Sequence, residues 1–151
     1  MNISPRKLNF FLAFKLPSAF FCGVRTKTLN DNTCVVSVKH SWINQNPFNS
    51  MFWAVQGMAA ELTTGALVMS KVKESGKKIS MLVASNNASF TKKATGRITF
   101  TCNEGQKIDD AIAKAIETGE GQVVSLNSKG INKEGLQVSD FNFEWTLKVR
   151  S

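Results

Sequence analysis

The sequence predicts an α+β domain in which an antiparallel β-sheet of about five or six strands wraps around one long central α-helix. Three observations carry this expectation. Phe52, Val55, Ala59, Leu62, Ala66 and Met69 recur at alternating spacings of three and four, which is one face of a helix. Short stretches of alternating hydrophobicity lie on both sides of that helix, bounded by Asn and Gly. The chain has 151 residues, 42% of them apolar, with no repeat, linker or low-complexity tract to divide it. That is the size of one domain around one core, spanning residues 1–151.

In chain order, residues 1–21 read as a helical segment packed on this domain. Ser4 can cap it, Pro5 suits its first turn, and Leu8, Phe11 and Leu12 form an apolar stripe. Arg6 and Lys7 ahead of an apolar run resemble a secretory leader, but Lys15 interrupts the run. Residues 24–40 form a hairpin turning at Asn30, Asp31 and Asn32, with Val36 and Val38 on one face. Residues 42–49, rich in Asn and containing Pro47, are a functional loop or a plain connector.

The long helix then covers residues 50–69 and spans about 30 Å. Asn49 or Ser50 can cap it, and Asn46 before Pro47 is an equally good start signal. A second stripe of mostly small residues, Ala54, Gly57, Glu61, Gly65 and Val68, predicts burial on more than one side. Strands follow at residues 79–84 and 96–102, joined through Phe90, Lys92 and Lys93. Ile108, Ile112 and Ile116 mark a short surface helix over residues 106–117 that stops at Gly119. Residues 122–126 and 138–149 are two more strands, with Gly130 and Gly135 in the hairpin connection between them.

Nineteen Lys and Arg against eleven Asp and Glu leave a net charge of +8, which favours anionic partners. The basic residues are scattered from Arg6 to Arg150 with no run longer than two, which describes a solvated basic surface and not a duplex-binding stripe. A nucleic-acid partner is therefore not expected. Nor is a membrane partner, since no stretch is long and apolar enough to span a bilayer. Cys22, Cys34 and Cys102 are odd in number and form no CxxC pair, so neither a disulfide framework nor a metal site is expected. A reducing compartment, the cytoplasm, fits this usage.

Three segments carry a family resemblance: Asn46-Pro47-Phe48-Asn49-Ser50-Met51 leading into the helix, Ala60-Glu61-Leu62-Thr63-Thr64-Gly65 within it, and Ser89-Phe90-Thr91-Lys92-Lys93-Ala94-Thr95-Gly96 between strands. With the order of elements from Val24 onward, they resemble the hot-dog thioesterase superfamily, in particular its phenylacetate-degradation-type branch and neighbouring families. The second segment is similar to that branch's acidic helix step. The third is similar to its aromatic-x-x-Pro-Ala-x-Gly strand, with Lys93 in place of the proline.

The resemblance implies an acyl-CoA thioesterase acting at a dimer interface, as a homodimer or a dimer of dimers. Thioester hydrolysis needs an oxyanion stabiliser and either a base for water or a carboxylate nucleophile. Backbone N–H groups near Phe52 and Trp53, at the positive end of the helix, suit the first role. Glu61 suits the second, across the interface, because it lies too far along its own helix to reach that end. Asn46 precedes Glu61 by fifteen positions, where related enzymes carry an Asn or Gln that positions the carbonyl or the water. Ser50, Met51, Phe52 and Trp53 would line the substrate site, and Lys92, Lys93 and Arg97 would hold the phosphates of coenzyme A. The coenzyme enters as part of the substrate, so no separate cofactor is expected.

Plainer readings accompany each residue. Glu61 can be an ion-paired helix glutamate, although its small-residue flank weakens this, because a carboxylate facing a packed surface must be partnered or neutralised. Asn46 can be a turn residue before Pro47. Exposed lysines need no ligand, and His40, the only histidine, sits at a strand end without the Asp partner of a hot-dog hydratase. Phe52-Trp53-Ala54 stands where many active relatives carry His-Gly-Gly, whose glycines let substrate approach the backbone. Trp53 crowds that position, so either the substrate is seated differently, the aromatic residues line an acyl pocket, or activity is lost. In the last case the chain is a noncatalytic module that binds acyl groups or small apolar ligands.

Overall fold

The computed structural model describes residues 3–151. The elements in order are α1 (Pro5–Lys15), α2 (Pro17–Phe21), β1 (Arg25–Leu29), β2 (Cys34–Lys39), a single 3-10 turn (Trp42–Asn44), α3 (Trp53–Glu74), β3 (Ile79–Phe90), β4 (Arg97–Cys102), α4 (Gly105–Thr118), β5 (Gln122–Ile131) and β6 (Gln137–Val149). The six strands form one sheet in the order β1-β2-β4-β5-β6-β3, with every neighbouring pair antiparallel. Helix α3 lies along β2, β4, β5 and β6 and forms the centre of the core. This is the hot-dog fold.

Packing follows the two sequence periods. Along β5 and β6 buried and exposed residues alternate, so Val124, Leu126, Phe141, Phe143, Trp145 and Leu147 meet α3 or the core beneath it. The second stripe of α3 brings β6 close, since a Cβ on Gly57 would touch Phe141 and one on Gly65 would stand 3.2 Å from the Trp145 ring. The Trp145 indole N–H donates to Thr64 Oγ1 at 3.0 Å, which satisfies the buried polar end of the largest side chain in the interface.

The long helix is shifted relative to the sequence reading. It begins at Trp53, and neither Asn49 nor Ser50 caps it: Phe52 holds the cap position and its carbonyl accepts from the N–H groups of Val55 and Gln56. The segment before it forms a turn in which Asn49 has a φ of 57°. At the other end α3 continues to Glu74, because Lys71 is buried against α4 in an ion pair with Asp109 at 2.8 Å.

Strand β3 runs on to Phe90 through Asn86 and Asn87, paired with the first half of β6. In the sheet it lies at the opposite edge from β1, three strands away from β4, its neighbour in sequence. Gly130 belongs to β5 and not to the hairpin turn; its missing side chain admits Phe100, which a Cβ there would meet at 2.6 Å. At the N-terminus Ser4 caps α1 through the Lys7 N–H, and Leu8 and Leu12 are fully buried, whereas Phe11 is left exposed.

Candidate active site

The segment ahead of α3 is fixed by its asparagines. Asn44 is buried; its Oδ1 accepts from the Ser41 N–H at 2.9 Å, and its Nδ2 donates to the carbonyls of Cys22 and Lys39, each at 2.9 Å. Its own carbonyl accepts from the Phe52 N–H at 2.8 Å. Asn46 Oδ1 accepts from the Phe48 N–H at 2.9 Å and the Ser50 N–H at 3.2 Å, while Nδ2 donates to Ser50 Oγ at 2.9 Å. The Met51 N–H then donates to the Ala94 carbonyl at 2.8 Å. The first and third resemblance segments, far apart in sequence, therefore meet at the Met51–Ala94 bond.

Between these two segments lies a cleft of about 500 Å³. Phe48, Phe52, Trp53 and Phe90 form its walls, Met51 is buried at its base, and Lys92 and Lys93 stand at its edge. Lys93 Nζ donates to the Phe48 carbonyl at 3.1 Å, which ties the edge to the opposite wall. Of the predicted site residues, Asn46, Ser50, Met51, Phe52, Trp53, Lys92 and Lys93 all border this cleft. Arg97 does not; it lies on β4 opposite Lys39 and donates to Ser37 Oγ at 3.1 Å.

The helix start offers two free donors. Trp53 and Ala54 are the first residues of α3, and their N–H groups have no acceptor among the described residues; the Phe52 N–H, expected to be free, is taken by Asn44. The Trp53 and Phe52 rings, 6.1 Å apart and about half exposed, stand beside the cleft and leave it open. Gln56 comes from the first turn of α3. Only 4% exposed, it borders the cleft, and its Oε1 has no hydrogen-bond partner among the described residues.

Glu61 follows Trp53 by eight positions on α3, about 12 Å along the axis at the helical rise. It belongs to a separate slot of about 260 Å³ between α3 and the α1–α2 elbow, bordered by Leu12, Leu16, Pro17, Met58 and Leu62. The Glu61 Oε1 would lie 3.3 Å from a Cβ on Gly65, so the glycine leaves it room. The carboxylate has no hydrogen bond or ion pair among the described residues, even though Lys15 borders the same slot. Burial pushes its pKa above the ordinary 4.5, because desolvation disfavours the charged form. His40 lies outside both cavities, with its Nε2 buried and unpartnered. Among the described residues no cluster of His, Cys, Asp and Glu is arranged to hold a metal ion.

Known structures share this architecture. A Pseudomonas aeruginosa protein of unknown function, described as a probable thioesterase, superimposes with a TM-score of 0.82 at 21% identity, covering 97% of each chain. A Chlorobaculum tepidum protein of unknown function gives 0.82 at 17% identity, covering 97% of this chain and 98% of its own. A Haemophilus influenzae thioesterase gives 0.73 at 11% identity, covering 99% and 93%. At these identities the likeness is one of fold. No curated protein sequence matches the chain. The family described as "Domain of unknown function (DUF4442)" matches residues 6–147, nearly the full length, and the chain belongs to that family.

Proposed function

We propose that this protein hydrolyses an acyl or aryl thioester of coenzyme A as a homodimer. The observation that carries the reading is Glu61, a half-buried carboxylate with a raised pKa, no partner among the described residues, and a flank of small and apolar residues. A structural glutamate in such a place is normally paired, since an unpaired buried charge is costly. A second subunit resolves this. The partly open side of α3, formed by Ala54, Gly57, Met58, Glu61, Gly65 and Met69, is apolar except for Glu61, and β3 leaves one edge of the sheet unpaired over twelve residues. Docking two copies across this side brings the acid of one towards the cleft of the other.

In that arrangement the thioester oxygen accepts from the Trp53 and Ala54 N–H groups, whose donors and helix dipole favour the negative charge that develops there. Glu61 of the partner subunit takes a proton from water as the water oxygen adds to the carbonyl carbon. Collapse of the tetrahedral intermediate breaks the carbon–sulfur bond, and the proton passes to the departing thiolate, giving a carboxylic acid and free coenzyme A. Phe48, Phe52, Trp53 and Phe90 hold the acyl group, Asn46 and Ser50 keep the loop in shape, and Lys92 and Lys93 meet the coenzyme's phosphates. Free thiol released from a panel of short, long and aromatic acyl-CoA thioesters tests the proposal. Hydrolysis that persists in the Glu61→Gln variant would sink it.

The aromatic walls favour a second reading, a module that holds acyl groups without hydrolysing them. The resemblance to the hot-dog thioesterases implies a glycine at Trp53 in many active relatives, and the cleft that Trp53 borders is lined mainly by apolar side chains. Saturable binding of acyl ligands with no thiol released, unchanged by Glu61→Gln, would select this reading over the first.

A further inference from the structure

Helix α1 has two unlike sides. Leu8 and Leu12 face the core and are fully buried, while the opposite side presents Arg6, Lys7, Phe10 and Phe14. Phe10 and Phe14 are 69% and 70% exposed with their rings 5.0 Å apart, and Phe21, at the end of α2, is 67% exposed. The Phe21 ring contacts that of Phe20, which lines a shallow groove of about 750 Å³ together with Arg6, Lys7, Phe10 and Phe14. The outer side of a surface helix is ordinarily polar, and apolar patches of this kind mark a contact surface.

The charge around the patch indicates what it contacts. Residues 1–30 contain Arg6, Lys7, Lys15, Arg25 and Lys27 and no Asp or Glu; the first acidic residue is Asp31. Arg25 is held by the carbonyls of Phe20 and Val24 and stacks on the Phe20 ring at 3.8 Å, while Arg6 and Lys7 make no ion pair among the described residues. A second copy of the chain is a poor occupant, because a two-fold contact sets the same basic residues against each other. Aromatic rings beside unpaired cations match a layer whose surface is anionic and whose interior is apolar.

We propose that the outer side of α1 docks on an anionic lipid bilayer, with Phe10, Phe14 and Phe21 entering at the headgroup boundary and Arg6 and Lys7 meeting lipid phosphates. Such docking is peripheral; no helix among the described residues is long and apolar enough to cross a membrane. It departs from the expectation of no membrane partner, which rested on the lack of a stretch long and apolar enough to span a bilayer. It is independent of the hydrolase reading, since none of these residues borders the cleft or the Glu61 slot.

Co-sedimentation tests it, using vesicles of mixed phosphatidylcholine and phosphatidylglycerol against vesicles of phosphatidylcholine alone. The intact chain is expected to pellet with the mixed vesicles at low salt and to be released by high salt. Replacing Arg6 and Lys7 together by Gln is expected to weaken partitioning about thirtyfold, at the usual contribution of a basic residue near an anionic surface. Phe10→Ser with Phe14→Ser is expected to weaken it by about tenfold or more. Both variants should unfold at the wild-type temperature because the four side chains are exposed, so a loss of binding is not a loss of fold. Wild-type protein left in the supernatant, or variants that pellet as the wild type does, would overturn the proposal. So would a Phe10/Phe14 variant whose only change is a smaller oligomer in light scattering, which would make a second copy the occupant.

Discussion

At the start of α3 the polar side chains of Asn44, Asn46 and Ser50 are tied to backbone and to one another. About two turns further along, Glu61 is tied to nothing among the described residues. Both places are partly shielded from water, so the same desolvation cost applies to both, and only one is offset internally. The contrast separates a polar cluster satisfied within the chain from a carboxylate that is not. The loop at the helix start is a finished structure, and it leads into the free N–H of Trp53, a residue that borders the cleft. Glu61 has no such ties among the described residues, and the proposed second subunit would supply them.

The largest effect that sharpens this contrast is on turnover. In the proposed dimer Glu61→Gln keeps the shape of the side chain but cannot take a proton, and thiol release from the best acyl-CoA substrate is expected to fall about a hundred- to ten-thousandfold. Stability should move the other way. Because burial raises the Glu61 pKa, the folded chain holds that proton more tightly than the unfolded chain does. The contribution of this group to stability is full below its ordinary value of 4.5 and is lost as pH rises towards the raised one. Gln does not titrate. The unfolding free energy of the variant relative to wild type should therefore grow with pH across that window and then level off, as denaturant titrations at several pH values would show. A difference that does not vary with pH would mean that burial does not raise the Glu61 pKa.

The second prediction concerns the finished side. Asn44→Ala leaves the Cys22 and Lys39 carbonyls and the Ser41 N–H without their partner, at a cost of about 2–3 kcal/mol in unfolding free energy. If the loop is only a connector, its loss should cost stability alone. If it shapes the cleft, thiol release should fall further than the unfolded fraction accounts for.

These two regions were not equally legible in the sequence. Glu61 could be singled out because it interrupts a stripe of Ala and Gly, and the structure places it in a slot beside Gly65. Asn44 and Gln56 were not singled out, yet each left a trace: Ser41 and Asn44 have the spacing of a capping box, which they form, and Gln56 shares a helix side with Ala60, Thr63 and Leu67, all buried. The ends of α3 differ from the sequence expectation for tertiary reasons. Asn46 and Asn49 look like caps but close a turn, and Lys71 looks like a surface residue until Asp109, from another helix, meets it. Strand β3 outruns its expected end because Asn86 and Asn87 have turn character locally, whereas their pairing with Asn142 and Phe143 of β6 is non-local. Strand order is non-local in the same way, and neither Lys92 and Lys93 beside the cleft nor Arg97 away from it follows from their closeness in sequence.

A third variant joins the two regions. Gly65→Leu places a side chain where a Cβ alone would stand 3.2 Å from Trp145 and 3.3 Å from the Glu61 carboxylate. The net cost in unfolding free energy is expected to be about 1–2 kcal/mol, because overpacking is partly offset by better helix propensity. Displacement of Glu61 should lower hydrolysis by more than this stability change explains. Equal turnover in Gly65→Leu and wild type would show that the position of the carboxylate is not critical.

The smallest effect falls on the one polar side chain at the helix start that escapes the pattern. Gln56 is buried and borders the cleft, and its Oε1 has no partner, so among the residues at the start of α3 it resembles Glu61 more than Asn46. Replacing it by Leu removes an unsatisfied acceptor and keeps most of the volume, so stability is expected to stay the same or rise by up to about 1 kcal/mol. If the amide meets a donor on the bound acyl group, the same change raises KM for that substrate and leaves kcat nearly unchanged, since binding is lost equally from ground and transition states. Substrates without such a donor should not notice the change. A Gln56→Leu protein that is less stable, with KM unaltered across the panel, would place Gln56 with the asparagines as part of the scaffold and set it apart from Glu61.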